Sequence, residues 1–166
     1  MPFRLPPVAE LEKNFEITDV EGFPEIDEAD PIKGSFRQAT EEEDLQRDRF
    51  VNVIVKYSFN AEGVIDGESR KPKTGSERRA YEVFLTLSSI DIADENNRPL
   101  FKFSDINGLR KVAGKWENFQ KLWGRLPKAV STAVHAECVN TNPDWGLAWV
   151  LPDEDGTELD DPEGEV

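Results

Sequence analysis

One histidine and one cysteine are all the chain offers for imidazole or thiol chemistry, and they stand three residues apart, at His135 and Cys138. On a helix that spacing places both side chains on one face, as a nucleophile and its base would require. Such a pair also needs a third group to orient the imidazole, and the sequence singles out none. Ala129, Val130, Ala133 and Val134 surround them, so both read as packing residues of an apolar helix. A zinc site needs more soft or imidazole ligands than one of each. The run Glu41-Glu42-Glu43-Asp44 offers carboxylates for a metal or for acid–base work, but a helix start explains it electrostatically. The sequence contains neither a glycine-rich phosphate loop nor a nucleophile elbow. The expectation is a protein that is not an enzyme, with no catalytic, cofactor-binding or metal-binding residues.

The elements that would carry these residues belong to a chain of 166 residues, enough for one domain with a real core. Its net charge of −14 is unevenly placed. Residues 1–33 hold nine acids and three bases, residues 153–166 hold eight acids and no base, and the stretch between is neutral. Both acidic ends are punctuated by proline or glycine, which reads as solvated tails rather than a rigid row of phosphate-like charges. A DNA mimic is therefore disfavoured, and direct nucleic-acid binding more so, because acidic tails repel phosphate. No apolar run approaches the about 18 residues that span a bilayer, so no membrane partner is expected. The opening MPFRLPPVAELEK lacks an apolar block of export-signal length, and a single cysteine suits a reducing compartment. A soluble intracellular protein is the expectation.

The hydrophobic pattern predicts a mainly α fold. It divides the chain into an extended acidic arm over 1–33, a domain of about four helices over 34–151, and an acidic disordered tail over 152–166. The arm's scattered Phe15, Ile17, Val20, Phe23 and Ile26 lack a sustained period, yet are frequent enough to dock on a core or a partner. Thr40 with Glu43 forms a capping-box start, and a helix over 40–56 is favoured. FVNVIVKYSF also alternates, which keeps a strand over 51–59 as its rival. Residues 60–76 read as a long polar loop, and Arg70, Lys71, Lys73, Arg78 and Arg79 form the one local basic cluster, a solvated surface or a dock for an acidic segment. SERRAYEVFLTLSSIDI from Ser76 reads as a second helix. SDINGLRKVAGKWENFQKLWGRL reads as a third, capped by Ser104 and weakened by Gly108 and Gly114. Pro127 opens a fourth, which Asn142-Pro143 ends, since a residue before proline is pushed out of the helical region.

What remains is aromatic surface. Trp116, Phe119, Trp123, Trp145 and Trp149 fall in the final third. Tryptophan buries much area at low entropy cost, so these five are the candidate partner-binding residues, with core packing as the rival reading. In NTNPDWG, residues 140–146, Asp144 and Gly146 suit a turn that leaves Trp145 to fold back on the helices or anchor a partner.

SFRQATEEEDLQRDRF, AYEVFLTLSSIDI and above all FQKLWGRLPKAVSTAVHAECVNTNPDWG make residues 35–149 resemble the tail assembly chaperones of long-tailed bacteriophages. The resemblance is one of helices and turns, and it implies a small, mostly helical, non-enzymatic protein made in the host cytoplasm during virion assembly. Its implied partners are the tape measure protein, which it would coat, and tail tube subunits, which it would help recruit; a homo-oligomer is compatible. The acidic arm before the motif is longer than the family pattern. That departure sustains an alternative, a structural virion protein (decoration, neck or tail component) whose arms wrap neighbouring subunits. A regulator acting through the acidic tails is a third reading.

Overall fold

The computed structural model describes residues 2–51, 54–71 and 73–147. A single helical turn, α1 (Val8–Leu11), leads into strands β1 (Glu12–Ile17) and β2 (Ile32–Arg37), then helix α2 (Glu41–Val51). Strands β3 (Ile54–Phe59) and β4 (Ile65–Lys71) precede helix α3 (Gly75–Thr86), strand β5 (Leu87–Ile90), and strands β6 (Phe103–Ile106) and β7 (Leu109–Val112). Helices α4 (Trp116–Trp123), α5 (Lys128–Thr141) and α6 (Pro143–Leu147) follow. This is a mixed α/β fold, with seven strands in three antiparallel sheets among the described residues. It overturns the expected mainly α domain of about four helices.

The central sheet has the order β1-β2-β5. In β1, Phe15 and Ile17 are buried while Asn14 and Glu16 face solvent, the period-2 pattern of a half-buried strand. Residues 1–33 are therefore not an extended arm. Their hydrophobics enter the core, Phe15 stacking on Phe36 with centroids 5.4 Å apart, while Val20 is buried and Phe23 and Ile26 pack against it. The acids that suggested a tail occupy exposed positions of the strand and of the turns after it. The core over this sheet is closed by Val83 and Leu85 of α3 and by Val130, Val134 and Cys138 of α5. The 152–166 tail and Trp149 lie outside the described residues.

The other corrections are local. The capping box at Thr40 forms as expected: Glu43 N–H donates to Thr40 Oγ1, and Thr40 N–H donates to Glu43 Oε1. The helix it starts stops at Val51, and the β-branched residues after it go into β3. The 60–76 stretch is not a loop, because Asn60 folds it back. Its Oδ1 accepts the N–H groups of Glu62 and Val64, and Gly63 takes φ 80°. Helix α3 starts one residue earlier than expected, at Gly75 on a Thr74–Glu77 capping box, and ends where Leu87-Ser88-Ser89-Ile90 joins the sheet. The expected helix from Ser104 is a hairpin followed by α4. Asn107 and Gly108 sit at φ 53° and 78°, as a two-residue turn with both central residues left-handed requires. Gly114 also has a positive φ, in the link to α4. Pro127 caps α5 and Asn142 ends it, one residue from the expected start and at the expected stop.

Candidate functional site

The charged residues of α2 are not simply a solvated helix start. Glu43 is 1% exposed, and it receives Arg37 through two hydrogen bonds, Nη1 to Oε1 at 3.1 Å and Nη2 to Oε2 at 2.8 Å. Lys111 Nζ lies 3.0 Å from the same Oε2. Burial alone would raise the Glu43 pKa, but the hydrogen bonds from Arg37 and the Thr40 N–H, with the charges of Arg37 and Lys111, outweigh it and hold the carboxyl below its ordinary value. Arg37 also donates to the carbonyls of Arg110 and Leu85, so one side chain joins β2, α2, α3 and β7.

A second buried network takes up the histidine. His135 Nε2 lies 2.7 Å from Glu82 Oε1, and Arg47 Nε donates to Glu82 Oε2 at 2.6 Å. Arg47 Nη2 donates to the Trp145 carbonyl, and its guanidinium stands 5.3 Å from the indole centroid. Cys138 is fully buried, with its sulfur 3.5 Å from Thr86 Oγ1. Burial, reinforced by the charge of Glu82 and opposed by the Thr86 hydrogen bond, pushes the thiol up to about 12. A buried thiol with a raised pKa lacks the exposure and thiolate character of a nucleophile, and the His135 Nε2 contact goes to Glu82. Both networks hold elements together from within. Among the described residues no group of three or more His, Cys, Asp and Glu is placed to hold a metal ion.

The candidate tryptophans divide. Trp145 is 3% exposed and its Nε1 donates to Asp44 Oδ1 at 2.9 Å, so the residue has folded back onto α2. Gly146 serves close approach rather than an unusual backbone: a Cβ there would stand 2.7 Å from Val139 Cγ1. Phe119 is 2% exposed. Trp116 and Trp123 are half-buried members of an aromatic row, Trp116 in its middle and Trp123 towards one end. In that row Phe50 stacks on Tyr81 at 4.0 Å, Trp116 meets both edge-on, and Phe119 stacks between Trp116 and Trp123. Of the basic cluster, Lys73 lies 4.6 Å from the Phe50 ring centroid, Arg78 donates to the Lys73 carbonyl and Arg79 to Ser76.

Apart from Phe3 and Leu5 near the start of the chain and the single residues Leu45 and Ile106, the exposed large apolar side chains of the described residues gather on the β3–β4 hairpin. These two strands form a two-stranded sheet and pair only with one another among the described residues. Tyr57, Phe59, Val64 and Ile65 are 53%, 61%, 60% and 55% exposed. Tyr57 and Phe59 are two apart and share a face, and Ile65 sits opposite Phe59 in register. A bulge at Asp66 turns Ser58 and Asp66 to the other side, where the Ser58 hydroxyl donates to Asp66 Oδ1 at 2.8 Å. Tyr57, Phe59 and Ile65 thus gather on one face near the turn, with Glu68, opposite Tyr57, on the same side. The alternation in KYSF carries the signal for β3, which the rival strand over 51–59 caught, while the turn residues of NAEGV were passed over in the reading of a polar loop.

Neither family models, nor curated proteins, nor solved structures match this chain.

Proposed function

We propose that the chain is a non-catalytic binding protein that captures an apolar partner on the face of its β3–β4 hairpin. The observation that carries this reading is the row of Tyr57, Phe59 and Ile65 on a ribbon that no third strand extends among the described residues. A lone two-stranded hairpin is marginally stable in water, and clustered exposed aromatics usually mark a contact surface. Aromatic anchors of low conformational entropy are what such contacts use.

The resemblance of residues 35–149 to tail assembly chaperones supplies the identity of the partner: a tape measure protein whose apolar helices would otherwise aggregate. In this reading the hairpin face covers apolar stretches of the tape measure, and tail tube subunits later displace it. The helical part of the resemblance, FQKLWGRLPKAVSTAVHAECVNTNPDWG, falls on α4, α5 and α6. The AYEVFLTLSSIDI part falls on α3 and β5, a helix that turns into a strand.

The test is co-expression of the full chain with a tape measure protein. The two should co-purify, and the chain should be missing from mature particles. Tyr57→Ser, Phe59→Ser and Ile65→Ser combined should abolish co-purification while leaving the circular dichroism spectrum unchanged. Undiminished capture by that variant would overturn the hairpin assignment. Stoichiometric presence in mature particles would overturn the chaperone reading in favour of a structural virion protein.

A further inference from the structure

The hairpin has a second property, in its edge rather than its face. Strand β4 reads Ile65-Asp66-Gly67-Glu68-Ser69-Arg70-Lys71, acidic in its first half and basic in its second. A strand with that polarity is complementary to its own antiparallel copy. Its inner side is taken by β3, with Glu68 opposite Tyr57 and Arg70 opposite Val55, and no other strand borders it among the described residues. The outer edge of β3 offers no such match: Lys56 is its one charged residue, and a lysine on an edge works against pairing.

We infer that two copies of this chain associate through their β4 strands, antiparallel about a two-fold axis, with Glu68 of each copy across from Arg70 of the other. The register that does this sets Ser69 opposite Ser69 and Gly67 opposite Lys71. Opposite charges directly across an antiparallel pair stabilise it, and the two-fold makes each favourable pair occur twice. Pro72, which has no N–H to give, follows the last paired residue. The product is a four-stranded sheet of order β3-β4-β4-β3. A two-fold perpendicular to the sheet keeps the Tyr57-bearing faces of both copies on the same side, with the Glu68–Arg70 positions between the two sets of Tyr57, Phe59 and Ile65. Nothing in this requires Glu68 to lack interactions within its own chain, since a carboxylate accepts from more than one donor.

Sedimentation of the full chain across a concentration series tests it. The wild type should be a dimer that loosens as salt is raised. Glu68→Lys and Arg70→Glu should each be monomeric, because each puts like charges across the axis twice. An equimolar mixture of the two should dimerise again, since both cross-pairs are then of opposite sign. The double variant Glu68→Arg with Arg70→Glu should dimerise alone. A wild type that stays monomeric throughout overturns the inference, as does a dimer that survives both single reversals. Loss in the single variants with no rescue in the mixture or the double variant overturns it too. Partner capture on the hairpin face is a separate readout, so co-purification can persist where the dimer fails.

Discussion

Arg37 and Glu43 meet through two parallel hydrogen bonds, 3.1 and 2.8 Å long, with both side chains sealed from solvent. A buried pair of this kind fixes geometry more than it adds net stability, but removing one partner strands the other's charge. Glu43→Ala should therefore cost about 3–5 kcal/mol, read as a fall in the denaturation midpoint. A cost below that of an exposed salt bridge would mean that the pair is not buried in solution.

The same pair sets an acid dependence. The Glu43 carboxyl titrates below its ordinary value of 4.5 when folded, so the unfolded chain binds its proton first as pH falls. The stability it contributes is complete above that value and is lost as pH drops through the lower folded pKa. The difference in melting temperature between wild type and Glu43→Gln should thus be largest near neutrality and shrink in acid. A difference that grows in acid would contradict the arrangement.

Trp145→Ala should cost about 3–5 kcal/mol, the range for emptying a buried aromatic site. It would also leave Asp44 without the indole N–H and Arg47 without the ring beneath it. Chemical denaturation measures this directly. A fully stable variant with lost partner binding would instead return Trp145 to the role of interface anchor.

Two glycines hold tight approaches. A Cβ at Gly34 would collide with the Ser89 carbonyl oxygen and stand 2.6 Å from Phe15 Cζ, where the backbone cannot yield. Gly34→Ala should cost at least the about 1–3 kcal/mol typical of overpacking, and more than Gly146→Ala, whose obstacle is the Val139 side chain. Thermal melts of the two variants rank them.

Cys138 should resist a thiol reagent such as DTNB at pH 8 in the folded protein and react at once in denaturant. Its raised pKa adds an alkaline term. Above the ordinary value of 9.0 the unfolded chain loses the thiol proton while the fold keeps it up to about 12, so stability falls across that window. Cys138→Ala should lack that part of the alkaline decline. Rapid labelling of native protein would show the thiol to be exposed.

The helix stops and starts were legible because they depend on neighbours in the chain: Thr40 with Glu43, and Asn142 before Pro143, act within one turn. Apart from β3, which the rival strand over 51–59 anticipates, the strands were not, for a physical reason. β2 earns its place through partners far along the chain, as in the Ser35–Ser88 hydroxyl contact across 53 residues, and such pairing leaves no local period. β6 and β7 were written in Asn107-Gly108, but Ile106, Leu109 and Val112 also fit helical spacing, and the turn outweighed it. Burial of His135 and Cys138 followed from their apolar surroundings. That Glu43, Arg47 and Glu82 are buried could not be read, because a charged side chain enters a core only when its counter-charge is delivered by another element.

The Asn142 side chain does more than end α5. Its amide donates to the Arg37 carbonyl and accepts the Ala39 N–H, across 105 and 103 residues of chain. For a chain made from its N-terminus onward, the junction between β2 and α2 therefore waits for these two bonds until the end of α5 has been synthesised. That junction is closed by a side chain that arrives more than a hundred positions after it.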